Sequence, residues 1–169
     1  MTFQTPKRPL PDPTPNMENE IIRLMDLNQY AEAYQLLISL TNPSVSNLYN
    51  IALCLFKSRD YAGCIIQLEK IESKLQVNRY HSLNTNQEYN RILNIQRAID
   101  THLNAISNFY VEHFSHILYD SILRLRVDSW AQLKRWDKVL QIATKLQFKE
   151  YDNINRAIDQ ACNYSKTRK

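Results

Sequence analysis

The sequence predicts an all-α fold, and three features carry that expectation. Glycine is nearly absent: Gly63 is the only one in 169 residues, where average usage would supply about a dozen. Five of the six prolines stand at or before residue 15, so after Asn16 only Pro43 interrupts a helical backbone. From there on, apolar residues recur at steps of three and four, the spacing of helices that bury one face. The glycine poverty also excludes Gly-rich phosphate loops, dinucleotide-binding turns and glycine-built hairpins. With 169 residues, 44% of them hydrophobic, the chain has material for one core and a single domain follows.

Residues 1–15, MTFQTPKRPLPDPTP, carry prolines at 6, 9, 11, 13 and 15. Each proline fixes φ and removes a backbone donor, so an extended arm precedes one helical domain over 16–169. Asn16 opens a helix with Ile21, Leu24 and Met25 on its apolar face. After a turn, Tyr30, Ala33, Leu36, Leu37 and Leu40 continue the pattern until Thr41-Asn-Pro43 ends it. A second hairpin starts near Ser44 or Ser46 and runs through Leu48, Ile51, Ala52 and Leu55. It turns at Lys57-Ser-Arg-Asp60 and returns through Tyr61, Cys64, Ile65, Leu68 and Ile71. Residues 76–88 are polar and aperiodic, the mark of a loop or insertion. Between Tyr89 and Phe114 the positions Ile92, Ile95, Ile99, Leu103, Ile106, Tyr110 and His113 predict one long amphipathic helix. A third hairpin runs from Ile117 to Trp130, turns around Leu133-Lys-Arg135 and returns through Trp136, Val139, Leu140, Ala143 and Leu146. Asp152 then caps a last helix with Ile154, Ala157, Ile158, Ala161 and Cys162 in one stripe.

Aligned on the aromatic that follows each turn, the hairpins are LNQYAEAYQLLISL around Tyr30, SRDYAGCIIQLEKI around Tyr61 and LKRWDKVLQIATKL around Trp136. The first two aromatics are 31 residues apart and the third lies 75 beyond the second. This pattern resembles the tetratricopeptide repeat family, whose unit of ~34 residues is a helix–turn–helix. In the best match, LYNIALCLFKSRDYAGCIIQLEKI, Ala52 takes the small-residue place of the first helix and Leu55 the next apolar place. Tyr61 is the turn aromatic and Cys64 the small residue of the second helix. Ala33 fills that last place in the first hairpin. The resemblance covers residues 17–75 and, in degenerate form with Val127 and Val139 at small-residue places, 115–148. It implies a short repeat superhelix, here with a long central helix and a C-terminal capping helix, and it implies binding rather than catalysis. In this family the concave face comes from the first helix of each hairpin. The resemblance therefore implies a partner-binding groove lined by Asn19, Ile22, Met25, Tyr49, Asn50, Leu53, Phe56 and Lys57. Tyr49 and Glu18 stand where carboxylate-gripping members carry lysines, so a chaperone C-terminus is not the expected ligand.

Candidate chemistry is sparse. In YVEHFSHILYD, His113, His116 and Asp120 fall at i, i+3 and i+7 of one helix and would present two imidazoles and a carboxylate to a divalent metal. The order is not that of the HExxH metalloproteases, and His113 also continues the apolar stripe, so a packed histidine is the simpler reading. No metal, cofactor or catalytic residue is expected, and the chain is not expected to be an enzyme. Cys54, Cys64 and Cys162 are too few for a disulfide framework and lie in apolar stretches, which predicts reduced, buried thiols. No apolar run approaches the ~20 residues of a membrane span. Residues 1–15 lack the apolar core of a signal peptide, so a soluble, intracellular protein, cytoplasmic by default, is the expectation.

The net charge of +4 is unevenly placed. Residues 1–120 carry 10 Lys and Arg against 12 Asp and Glu, whereas residues 121–169 carry 11 against 5. Two functional classes fit. One is a scaffold or adaptor that holds another protein in a multi-subunit complex through its groove. The alternative is a helical-repeat RNA binder that uses the basic last third.

Overall fold

A computed structural model of the chain describes residues 15–75, 86–146, 148 and 150–166. The expected arm up to Thr14, and residues 76–85 of the expected loop, lie outside them. The described residues hold nine α-helices: α1 (Pro15–Asp26), α2 (Tyr30–Ile38), α3 (Val45–Lys57), α4 (Tyr61–Glu72), α5 (Gln87–Arg97), α6 (Asn108–His113), α7 (Ser115–Gln132), α8 (Trp136–Ala143) and α9 (Asp152–Lys166). A short 3-10 turn, Thr101–Leu103, separates α5 from α6. The all-helical expectation is met.

All three hairpins form, and their turns are built alike. The residue two before each turn aromatic is left-handed: Asn28 at φ 60°, Arg59 at 67° and Lys134 at 55°. Its N–H reaches the carbonyl three residues back and the following N–H the carbonyl five back. The pairs are Asn28 to Met25 with Gln29 to Leu24, Arg59 to Phe56 with Asp60 to Leu55, and Lys134 to Ala131 with Arg135 to Trp130. These bonds satisfy the last carbonyls of a helix and fix the direction of the next one. The third hairpin, whose sequence is the most divergent, therefore has the same turn as the first two. At the second turn the Asp60 carboxylate accepts from the Gly63 N–H at 2.9 Å. A Cβ on Gly63 would lie 2.3 Å from that carboxylate, so the one glycine stands where this cap needs room.

Helices adjacent in sequence pack together from α1 to α4; α7 then stacks on α4, with α8 and α9 beyond it. Ala33, Ala52 and Cys64, the small residues of the repeat alignment, are fully buried. Val127 and Val139 are also fully buried, so the larger side chains at the third unit are accommodated in the interior. Helix α7 is the true central element. Its Leu118, Ile122 and Leu125 join the core of α1–α4, while Leu123 and Val127 join a second core with Val139, Ile142, Ile154 and Ala157 of α8 and α9.

The expected long helix from Tyr89 to Phe114 is not formed. After α5 the chain passes through the 3-10 turn, and Asn104 and Ser107 adopt extended backbones before α6 begins. The cause is polar and lies in other helices. The Tyr49 hydroxyl donates to the His102 carbonyl at 2.6 Å, and the Asn50 amide pairs with both backbone groups of Ile106. Ser107 caps α6 by accepting from the Tyr110 N–H at 3.1 Å, and the Glu18 carboxylate accepts from the Asn108 N–H. Side chains of α1 and α3 thus take up backbone groups that a continuous helix would have paired internally. His102 and Ile106 are buried as a result.

The charge asymmetry of the sequence is complementary in space. Arg126 of α7 reaches Glu72 at 2.7 Å and Glu69 at 3.4 Å on α4. Arg124 and Arg156 approach Asp100 at 3.9 Å and 3.5 Å. Arg124, Arg126 and Arg156 of the last third are therefore matched by acids from the preceding sequence, whereas Arg135 pairs with Asp137 of the same third; Arg124 and Arg126 are buried. No helix among the described residues is long and apolar enough to cross a membrane.

Candidate binding site

The residues expected to line an open groove separate into two groups. Asn19 and Lys57 are exposed, and Ile22 and Phe56 are half-buried. Met25, Tyr49, Asn50 and Leu53 are buried, so this part of the expected groove is interior. The occupant over Tyr49 and Asn50 is the chain itself, since residues 102–106 accept and donate the hydrogen bonds that Tyr49 and Asn50 offer. Tyr49 is fully buried, and desolvation pushes its hydroxyl well above the usual tyrosine range. It works as a fixed donor. The partner-binding role given to Met25, Tyr49, Asn50 and Leu53 by the family pattern is corrected accordingly: Tyr49 and Asn50 bind His102 and Ile106, and Met25 and Leu53 belong to the core.

Beneath the covering segment lies a polar network. His102 Nε2 is 2.6 Å from Asp128 Oδ2, and Asn153 Nδ2 donates to Asp128 Oδ1 at 2.9 Å. Asn153 Oδ1 accepts from Arg124 Nε at 2.8 Å, and Arg124 Nη2 donates to the Ile99 carbonyl at 3.1 Å. The Arg124 guanidinium also lies over the Tyr151 ring, 4.3 Å from its centroid, and the Tyr151 hydroxyl donates to Asp120 at 2.8 Å. Burial lowers the His102 pKa and opposes the effect of Asp128, which favours the charged ring. Burial thus favours the neutral ring, and with Nδ1 buried and unpartnered the neutral form places its proton on Nε2, facing the carboxylate.

One cavity of about 480 Å³ opens beside this network, between α5 on one side and the 101–106 segment, α6 and α7 on the other. Tyr89, Ile92, Leu93, Gln96 and Arg97 supply the α5 wall; Ala105, Ile106, Phe114 and Ile117 are the apolar residues opposite, with Thr101, Asn104 and Ser121 among them. Tyr49, Arg124 and Tyr151 add polar atoms. None of the residues of α5 is buried, so this helix is a wall and not part of the core. Its volume falls within the ~300–1,000 Å³ usual for small-ligand sites.

The metal candidate is not assembled. The helix expected to carry it breaks at Phe114, whose φ and ψ are −128° and 33°, leaving His113 on α6 and His116 on α7. His113 Nδ1 bonds to the Phe109 carbonyl at 2.9 Å and its ring stacks on Phe109. Asp120 is buried and engaged by Tyr151. No group of three potential ligands converges among the described residues. The expectation of three buried thiols also needs correction: Cys54 and Cys64 are buried, but Cys162 is exposed on α9.

Arg124, Asp128, His102 and Tyr151 were not singled out in the sequence. The one signal for them is the placement of Arg124 and Arg126 inside the apolar run Ile122-Leu-Arg-Leu-Arg-Val127, where a solvated basic face would not fall. Comparison of the chain with protein-family models, with curated proteins and with solved structures returned no match.

Proposed function

We propose that the chain is a short helical-repeat scaffold of the tetratricopeptide kind, which holds another protein within a larger assembly and uses α5 as its docking face. The observation that carries this reading is the strip Ile92, Ile95 and Ile99, exposed at 49%, 61% and 54% and spaced by three and four residues. Ile92 and Ile95 lie on α5 and Ile99 in the turn that follows it, and an apolar strip turned to water beside a helix with no buried residue of its own is suited to lie against a partner. The repeat reading is supported by the three equivalent turns and by burial of Ala33, Ala52 and Cys64. Because residues 101–106 cover the centre of the expected groove, the exposed strip on α5, outside that cover, becomes the surface on offer. RNA binding through the last third draws less support, since Arg124 and Arg126 are buried and Arg156 is paired.

The test is capture of partners from a lysate of the source cells by the full chain and by the double variant Ile95→Ser, Ile99→Ser, with and without nuclease. A protein that is retained by the wild type after nuclease and at both ~50 and ~200 mM salt, but lost by the variant at unchanged helicity and melting temperature, is the expected result. Loss of capture on nuclease treatment, or a steep fall with salt, would transfer the function to nucleic acid. Equal capture by both chains would remove α5 from the site.

A further inference from the structure

We propose that the cavity between α5 and α7 binds a single-chain carboxylate amphiphile, a fatty acid, with its headgroup at Arg97 and Arg124 and its alkyl chain along Ile92, Ile106, Phe114 and Ile117. Three observations lead to this class of ligand. First, most of the surface that lines this cavity of about 480 Å³ is apolar, with Gln96, Thr101, Asn104 and Ser121 as neutral polar residues among it, and a mainly apolar wall favours a hydrocarbon chain over a polar solute. Second, Arg97 and Arg124 both line the cavity, while no Asp or Glu does. Third, the two arginines are unequally matched. Arg124 has Asp100 at 3.9 Å, but Arg97 makes its polar contact with Asn94, at 3.2 Å. The Arg97 guanidinium rests on the Phe148 ring at 3.6 Å, and its Nε is buried without a hydrogen-bond partner.

A guanidinium set against an aromatic ring at the edge of an apolar cavity is poorly hydrated, and a carboxylate that accepts two N–H bonds restores what burial removed. One unmatched positive charge asks for one negative charge. A dicarboxylate would bring a second negative charge into a cavity whose lining holds no cation beyond Arg97 and Arg124. Arg124, 2% exposed, is held by Asn153 and the Ile99 carbonyl, so it is fixed in place before any ligand arrives. Fixing the donor in advance lowers the entropic cost of binding. Helix α5, which is anchored by no buried residue, forms the wall that can move aside to admit an alkyl chain.

The experiment is a fluorescence titration of the purified chain with a dansyl-labelled undecanoic acid, followed by displacement with dodecanoate, dodecanol or dodecylammonium. Saturable one-to-one binding is expected, displaced by dodecanoate at concentrations about tenfold or more below those needed for either competitor lacking the carboxylate. Arg97→Gln should weaken the probe by about tenfold, because a charge-assisted pair becomes a neutral one. Ile92→Trp, at a half-exposed position that tolerates bulk, should abolish binding by filling the cavity while the thermal melt stays in place. Absence of saturable binding, equal displacement by dodecanol and dodecanoate, or affinities unchanged in both variants would each overturn the proposal. As only purified protein and probe are used, these outcomes are separate from the fate of the protein-docking reading.

Discussion

Asn50 and Ile106, 56 residues apart, exchange two hydrogen bonds: the Asn50 Nδ2 donates to the Ile106 carbonyl at 2.9 Å, and its Oδ1 accepts from the Ile106 N–H at 3.0 Å. A side-chain amide here satisfies both backbone groups of a residue outside any helix, in the way a neighbouring β-strand would. Both residues are buried, so water cannot substitute for either bond. The arrangement, with Tyr49 holding the His102 carbonyl one turn away, is how α3 keeps residues 101–106 on its surface and why the helix expected there is interrupted.

Replacing Asn50 by Ala therefore strands a buried donor and a buried acceptor. Each unsatisfied group costs about 1–3 kcal/mol, so a loss of about 2–4 kcal/mol in urea unfolding is expected. Faster hydrogen exchange at the Ile106 amide should accompany it. Asn50→Asp keeps an acceptor for the Ile106 N–H but sets a buried carboxylate against the Ile106 carbonyl, so at neutral pH it should be at least as destabilising as Asn50→Ala. An unfolding midpoint for Asn50→Ala equal to wild type would show that the pairing contributes nothing.

The three left-handed turn residues give a prediction of opposite sign. Arg59 and Lys134 hold φ of 67° and 55°, a region in which a side chain with a Cβ costs roughly 1 kcal/mol relative to glycine. Arg59→Gly and Lys134→Gly should each raise stability by up to about 1 kcal/mol, reduced by the greater freedom of glycine in the unfolded chain. Val at either site should destabilise. Calorimetry on the four single variants checks the ordering, which is reversed if these turns relax to another geometry.

The hairpins were legible in the sequence because their signals are local. Tyr30, Tyr61 and Trp136 mark turns, and Ala33, Ala52 and Cys64 mark contacts between helices only a few residues away in sequence. The region 89–114 departs from the expected helix: its apolar positions are spaced as a helix would space them, but the groups that break it, Tyr49, Asn50 and Glu18, lie more than 50 residues upstream of their partners. Periodicity records which residues are buried and not which backbone path buries them. The cavity was hidden for the same reason. Arg97, Arg124 and Tyr151 come from α5, α7 and the approach to α9, and nothing local joins them.

The thiols supply a check on burial. Cys54 and Cys64 are buried in apolar surroundings that push their pKa up to about 12, so the reactive thiolate is scarce at both. Cys162 is exposed. Titration of the native chain at pH 8 with a chromogenic disulfide reagent should therefore modify one thiol rapidly, and all three after denaturation. Cys162→Ser should remove the rapid phase. Fast modification of a second thiol would mean that α3 or α4 opens far more readily than their buried faces imply.

The His102 and Asp128 pair makes a prediction about acid. In the folded chain, burial lowers the His102 pKa below its ordinary value of 6.5, although Asp128, and more weakly Asp100, favour the imidazolium, while Arg124 opposes it. The unfolded chain, with its imidazole in water, therefore takes up a proton at a pH where the folded chain does not. Stability linked to this group is fully present above about 6.5 and falls as the pH drops through that value. Thermal melts should accordingly shift downward between pH 7.5 and 5.5. His102→Gln, whose amide nitrogen can still donate to Asp128 but does not titrate in this range, should flatten that part of the profile. The difference between the two curves isolates His102 from the other histidines, which both chains share. A wild-type profile that rises on acidification relative to the variant would mean that the folded chain holds His102 as an imidazolium paired with Asp128, and that attraction to the carboxylate outweighs burial.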